Sequence, residues 1–123
     1  MSFLRAVAQI ALIVLPCGVT PLGAAELLML EQPGCPWCAR FNAEIAPGYP
    51  NTDEGRRAPL RRVDITQEWP SDLDFVAKER FTPTFVLIED GREIDRLRGY
   101  PGDEFFWYLL DQMIAKLPQE TSN

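Results

Sequence analysis

The sequence predicts an α/β domain of order β-α-β-α-β-β-α, a four-stranded mixed sheet flanked by helices. Three observations lead there. An apolar run from Glu26 to Glu31 stops at Pro33-Gly34 and gives way to helical periodicity. Further on, two β-prone runs flank Asp90-Gly91 in the pattern of a tight hairpin. The chain then closes on Phe106, Leu109, Leu110, Met113 and Leu117, which recur at helical spacing. Strand, helix, strand demands a parallel pair joined by a crossover, and the hairpin adds an antiparallel edge.

Glu26-Leu27-Leu28-Met29-Leu30-Glu31 has the nearly continuous hydrophobicity of a strand covered on both faces. From Cys35 to about Ala46, Phe41 and Ile45 stand four apart, and Pro47-Gly48 closes this helix. Tyr49 to Pro59, rich in Pro, Asn, Asp, Gly and Arg, shows no apolar period and reads as a solvent-exposed loop. Leu60 to Ile65 is the second strand. Ser71 with Asp74 resembles a capping box, and Leu73, Phe75, Val76 and Phe81 follow, so a short helix is expected from about Ser71 to Arg80. The hairpin strands are Phe85 to Ile88 and Glu93 to Leu97. The last helix runs from Asp103, its expected N-cap, to Leu117. No internal repeat or second domain is evident; the domain spans residues 26–117, with a flexible C-terminal tail expected at 118–123.

Composition narrows the chemistry. With 46% hydrophobic and 24% charged residues the chain can build an ordinary core. Twelve Lys plus Arg against 18 Asp plus Glu, a formal charge of −6, argue against nucleic acid as a partner. The complete lack of histidine excludes an imidazole base, a His-ligated zinc site and any Ser-His-Asp or Cys-His arrangement within one chain.

Residues 1–25 read as an address rather than as structure. A single charge, Arg5, precedes an apolar run from Ala6 to Leu15, then Pro16 and Gly18, and Gly23 with Ala25 suit a signal-peptidase site before Glu26. The run of about ten apolar residues is short of the roughly 20 that span a bilayer, which weighs against an uncleaved anchor. Cys17 follows Pro16, where a lipoprotein signal wants a small flexible residue. Cleavage leaves 98 residues, takes the formal charge to −7, and removes Cys17. Two cysteines remain, Cys35 and Cys38, in a protein expected in an oxidising compartment, the periplasm.

That Cys-x-x-Cys pair opens a helix. Unsatisfied N–H groups and the positive end of the macrodipole stabilise a thiolate there, so Cys35 is the expected nucleophile. Pro36 suits the first turn, and Cys38, nearly one turn on, is the expected resolving thiol. Other uses of the pair compete. A purely structural disulfide would close so short a loop that its entropic benefit is small. A zinc site needs four ligands, and the exported chain offers two sulfurs and no imidazole. An inert buried pair conflicts with the exposed turn marked by Pro33-Gly34 and Pro36-Trp37.

Pro33-Gly34-Cys35-Pro36-Trp37-Cys38 after an apolar strand resembles the active site of the thioredoxin superfamily, with a Pro-Gly-Cys-Pro-aromatic-Cys form closest to glutaredoxins. Phe81-Thr82-Pro83-Thr84-Phe85 resembles the superfamily loop whose proline is cis and lies beside the cysteines. The resemblance covers residues 26–117 and implies a thioredoxin-like fold, a redox-active disulfide between Cys35 and Cys38, and a cis Pro83 that leaves the Thr82 backbone free to pair with an extended substrate. It implies neither cofactor nor metal. The signal segment, the cysteine box and the ending Gly99-Tyr100-Pro101-Gly102-Asp103-Glu104-Phe105-Phe106-Trp107 together look like the small periplasmic thioredoxins encoded with bacterial sulfur-oxidation genes. That implies a reductase supplied by a membrane thiol–disulfide transporter and acting on disulfide-containing periplasmic proteins of sulfur oxidation or cytochrome maturation.

Departures carry information too. Where thioredoxins place a buried acid that handles protons, this chain has Met29; Glu31 and Glu44 are candidate substitutes, and each also reads as a solvated surface acid. Pro36-Trp37 lacks the His that strongly oxidising relatives hold between their cysteines, which implies a more reducing pair. Gly99 to Asp103 loosely resembles the Gly-Gly-x-x-Asp segment with which glutaredoxins hold glutathione, although a capped helix start accounts for the same residues. Phe105, Phe106, Trp107 and Tyr108 could form a partner surface, but helical spacing sends Phe106, with Trp107 or Phe105, to the core. Arg56, Arg57, Arg61 and Arg62 form a basic patch or simple charge balance. Three functions follow: a periplasmic disulfide reductase, a glutathione-dependent glutaredoxin-like enzyme, or a redox-responsive module that docks a partner through Trp37, Thr82 and Tyr100.

Overall fold

The computed structural model describes residues 25–119. Expectations for the leader and the extreme C-terminus lie outside these residues, apart from Ala25, which is buried against the sheet, and the exposed Pro118 and Gln119. The elements are β1 (Glu26–Glu31), α1 (Pro36–Glu44), α2 (Asp53–Arg57), β2 (Leu60–Asp64), β3 (Thr84–Glu89), β4 (Arg92–Arg98) and α3 (Asp103–Ile114), with single 3-10 turns at Tyr49–Asn51 and Ser71–Leu73. The sheet order is β2-β1-β3-β4. β1 runs parallel to β2 with Met29 opposite Arg62, and antiparallel to β3 with Met29 opposite Phe85. β3 and β4 form the expected hairpin, whose turn holds Asp90 and Gly91 at positive φ.

Alternation along the strands divides the core into two layers. Leu27, Met29, Phe85 and Leu87 face the layer with Phe41 of α1 and Phe106, Leu110 and Met113 of α3. Leu28, Leu30, Val63, Val86 and Ile88 face the other side, where Leu73 and Val76 cover them. β1 and β3 are buried on both faces, which is why they read as unbroken apolar runs.

Three segments differ from expectation. The helix expected over Ser71–Arg80 is one 3-10 turn followed by irregular chain. Ser71 makes no capping bond, because Pro70 holds the cap position, and the Leu73 carbonyl accepts both the Val76 N–H and the Trp69 indole N–H at 2.9 Å. Downstream, Arg96 donates to the Ala77 carbonyl at 2.9 Å and the Glu79 carboxylate accepts the Arg80 and Phe81 N–H groups. Side chains thus satisfy the backbone groups that a helix would have paired.

The loop expected over Tyr49–Pro59 contains α2 and a buried anchor. Thr52 Oγ1 caps α2 by accepting the Gly55 N–H at 2.9 Å. Tyr49 is fully buried, donates its hydroxyl to the Ala58 carbonyl at 2.7 Å, and stacks on Trp107 at 6.0 Å. A side chain at position 55 would run into the Tyr49 carbonyl, so the turn requires Gly55. The anchoring groups Tyr49, Ala58 and Trp107 share no sequence period, so no apolar pattern could reveal them.

Finally, α3 starts at Asp103 without Asp103 as its cap. Gly102, at φ +97°, occupies that position and brings no side-chain bond. Asp103 and Glu104 instead place negative charge in the first turn, favourable to the macrodipole. Phe106 is buried and Trp107 packs at the core edge, whereas Phe105 is 67% exposed and Tyr108 is exposed beside it.

Candidate active site

The site forms where β1 ends and α1 begins. Gly34, at φ +77°, turns the chain out of the strand, and Pro36 and Trp37 open the helix behind Cys35, its N-cap. Cys35 and Cys38 are joined in a disulfide with their Cα atoms 5.2 Å apart. The Cys35 sulfur accepts the Cys38 N–H at 3.2 Å. Cys35 is half-buried and Cys38 only 4% exposed, so one sulfur faces the surface and the other is covered by it.

The Thr82–Pro83 peptide is cis. Two bonds fix this loop beside the cysteines: Gln32 Nε2 donates to Thr82 Oγ1 at 2.8 Å, and the Gly99 N–H donates to the Pro83 carbonyl at 2.7 Å. Among the described residues, no hydrogen bond engages the Thr82 N–H or C=O. Glu79 holds the approach to the loop. Its carboxyl lies below the usual range because the Phe81 N–H, then Arg98 and the Arg80 N–H, donate to it against the cost of burial.

Two openings flank the disulfide, and a third lies behind Trp37. One, of about 540 Å³, is lined by both cysteines, Glu31, Gln32, Asn42 and Asp64. The second, about 480 Å³, runs past Cys35 to Trp37, Arg80, Phe81 and Thr82. A smaller apolar hollow of about 160 Å³ lies between Trp37, Phe81, Pro83, Gly99 and Tyr100. Trp37 is 50% exposed, with the Arg40 guanidinium 5.1 Å above its ring. Arg40 also pairs with Glu44 at 3.0 Å, and Tyr100 donates its hydroxyl to Glu44 at 2.5 Å. Those two bonds, Tyr100 first, hold the Glu44 carboxyl low, while burial and then Glu44 push the Tyr100 phenol up.

Pro33, Gly34, Cys35, Pro36, Trp37 and Cys38 therefore meet Thr82 and Pro83 at one end of the sheet. Of the two candidate acids, Glu31 lines the larger opening with both cysteines, whereas Glu44 turns to Tyr100 and Arg40. Met29 is fully buried, with its sulfur 3.5 Å from Arg62 Nη1. The arginine cluster is dispersed: Arg56 bonds Asp53, Arg57 the Pro118 carbonyl, Arg61 Asp72, and Arg62 Glu31. Gln32 and Glu79 did not stand out in the sequence, because Gln32 joins the site through a partner 50 residues away and Glu79 through a local turn and Arg98. No group of three or more His, Cys, Asp or Glu among the described residues could hold a metal ion, and no described helix is long and apolar enough to cross a membrane.

A vicinal cysteine pair at a helix start, facing a backbone left free for an extended peptide, defines a class: thiol–disulfide oxidoreductases on the thioredoxin fold. The chain belongs to the thioredoxin-like family, whose domain model matches residues 22–114. It is similar to the periplasmic thioredoxin SoxS from Paracoccus pantotrophus, solved in its reduced form, with 51% identity over 75% of this chain and 97% of that one and a TM-score of 0.71. Two thioredoxins share the fold at lower identity. The Malassezia sympodialis protein Mala s 13 is 20% identical over 74% of this chain and 78% of that one, with a TM-score of 0.55. Thioredoxin-2 of the malaria parasite, described as a component of its protein secretion machinery, is 19% identical over 78% and 89%, with a TM-score of 0.56. No curated protein matches. The chain is a thiol–disulfide oxidoreductase of the thioredoxin type.

Proposed function

We propose that the protein is an exported disulfide reductase of the periplasm, in which Cys35 attacks and Cys38 resolves. The observation that carries this reading is the unequal placement of the two sulfurs: Cys35 is accessible and receives a backbone N–H, while Cys38 is buried one turn inside the helix. In the reduced enzyme the Cys35 thiolate attacks a substrate disulfide, forming one S–S bond and expelling one substrate thiolate. Cys38, on losing its proton, attacks Cys35; the Cys35–substrate bond breaks, the second substrate sulfur leaves with the electron pair, and the enzyme is left oxidised. An extended substrate segment pairs with the free N–H and C=O of Thr82 and sets an apolar side chain in the hollow between Trp37, Phe81 and Tyr100.

Similarity to a periplasmic thioredoxin and the signal-like residues 1–25 support the location. There the disulfide must be reduced again after each turnover, which calls for a membrane thiol–disulfide transporter as donor, and the substrates are disulfide-containing periplasmic proteins. Cys38→Ser should trap such proteins as mixed disulfides that dithiothreitol releases, and Cys35→Ser should trap none. The pair's reduction potential, measured against thiol buffers through Trp37 fluorescence, should lie near or below about −270 mV; a value above roughly −180 mV would reverse the electron flow and overturn the reductase reading.

A further inference from the structure

Resolution needs a base, because a thiol becomes a nucleophile only as thiolate, and among the described residues the buried cluster that holds Cys38 contains no carboxylate. Met29 of β1 belongs to the same cluster and exchanges no proton. The way out for the Cys38 proton is the 540 Å³ opening, whose charged lining residues are Glu31 and Asp64.

These acids differ. Asp64 spends Oδ1 on its own turn, accepting the Thr66 N–H at 2.8 Å and the Thr66 hydroxyl at 2.7 Å. Both bonds, the hydroxyl first, favour its ionised form and commit Oδ1 to the turn. Glu31 lies one alternation beyond Met29 on the same face of β1. Arg62 Nη1, which touches the Met29 sulfur, donates to Glu31 Oε2 at 2.7 Å and fixes the carboxylate at the rim. Among the described residues no hydrogen bond reaches Glu31 Oε1. The charged groups facing Glu31 are thus Arg62 and Asp64 from β2; from α1 the opening is lined by Pro36, Ala39, Asn42 and the thiols alone.

We infer that Glu31, positioned by Arg62, takes the Cys38 proton through water in this opening as Cys38 attacks the mixed disulfide, and returns it to the departing substrate thiolate. The inference rests on the assignment of Cys35 as attacker and Cys38 as resolver. Its balance is closed: the Cys38–Cys35 bond forms, the Cys35–substrate bond breaks, the substrate sulfur takes the electron pair, and the proton passes from Cys38 to that sulfur by way of Glu31.

Stopped-flow reaction of the reduced protein with excess 5,5′-dithiobis(2-nitrobenzoate) separates the steps. The first phase, attack by Cys35, scales with reagent concentration; the second, resolution by Cys38, does not. The released aryl thiolate needs no proton, so the second phase reads the base alone. Glu31→Gln should slow that phase by about a hundredfold at neutral pH, the lower end for a positioned base, and make it rise with pH through the range where the wild-type rate is flat. Arg62→Gln, which releases the Glu31 carboxylate from the rim, should slow the second phase in part, and Arg62→Lys, which keeps a cation there, should restore it. The melting temperature of each variant reports an intact fold, and the second phase is read relative to the first phase of the same variant. An unchanged second phase in Glu31→Gln, or the same loss in Asp64→Asn, overturns the assignment. If Cys35→Ser rather than Cys38→Ser keeps the first phase and loses the second, the cysteine roles fail instead, whatever Glu31 does.

Discussion

One ring fastens the helix that carries both cysteines, and removing it shows how far stability and redox poise are linked. Phe41 is fully buried, and its centroid lies 4.7 Å from Phe85, 5.2 Å from Phe106 and 5.7 Å from Tyr100, joining α1 to the sheet, to α3 and to the loop beside Pro83. Truncating a buried Phe costs about 3–5 kcal/mol, and each ring pair contributes about 0.5–1.5 kcal/mol beyond its area. Three such pairs put Phe41→Ala at the upper end, about 4–5 kcal/mol, a large share of the roughly 5–15 kcal/mol that holds a small domain. The three ring pairs that anchor Phe41 involve neither sulfur, so the ring is expected to pack α1 alike in both redox states. Urea unfolding should therefore lose the same free energy in the oxidised protein and in dithiothreitol. The thermodynamic cycle then fixes the redox consequence: a differential loss of 1.4 kcal/mol equals about 30 mV, so the reduction potential should move by less than about 30 mV. A loss under about 1 kcal/mol would refute Phe41 as the anchor. Unequal losses, with a matching shift in potential, would show instead that closing the disulfide repacks the core.

Two further predictions concern carboxylates. Asp64, Asp72 and Glu79 are held below their ordinary pKa, by Thr66, by Arg61 and by the Phe81 N–H respectively. A depressed native pKa gives stability that is complete above the unfolded value of about 4 and is lost as pH falls through the native value, so the melting temperature should be flat near neutrality and fall below about pH 4. A melting temperature constant to pH 2 would contradict those bonds. Glu89 is 6% exposed at the end of β3, and its Oε2 is buried with no hydrogen-bond partner among the described residues. Such an atom costs about 1–3 kcal/mol, so Glu89→Leu should raise the unfolding free energy by about 1 kcal/mol or more; a loss would mean the carboxylate is paired in solution.

The sequence made the sheet and the cysteine pair legible because each rests on local chemistry. β1 and β3 are covered on both faces and so are continuously apolar; Asp90-Gly91 supplies the positive φ of its turn; Pro36 behind Cys35 marks a helix start. What it hid was settled by side chains reaching across the fold. Ser71 and Asp74 have the spacing of a capping box, yet the Trp69 indole and Arg96 occupy backbone carbonyls that a helix would have used. Tyr49 looks like a loop residue until Ala58 accepts its hydroxyl and Trp107 stacks on it. The site divides in the same way. Gly34 and Trp37 adjoin the cysteines and could be read off, whereas the Gln32 bond to Thr82 spans 50 residues and Tyr100 finds Glu44 across 56.

The two walls of the proposed substrate groove are consequently held by different forces. On the cysteine side, α1 is set by aromatic packing and by the backbone bond from Cys38 to Cys35, neither of which titrates as a carboxylate does. On the Thr82 side the described chain between Leu73 and Thr84 forms no helix. The approach to Thr82 hangs on Glu79, which pairs with Arg98 at 3.0 Å and Arg96 at 3.7 Å and accepts the N–H groups of Arg80 and Phe81. Protonating Glu79 weakens all four contacts together while leaving the disulfide's surroundings in place. Acid should then reach the enzyme first through sulfur chemistry, because Cys35 attacks only as thiolate, and only at lower pH, where the depressed Glu79 carboxyl takes up its proton, through the proposed grip on a substrate backbone at Thr82.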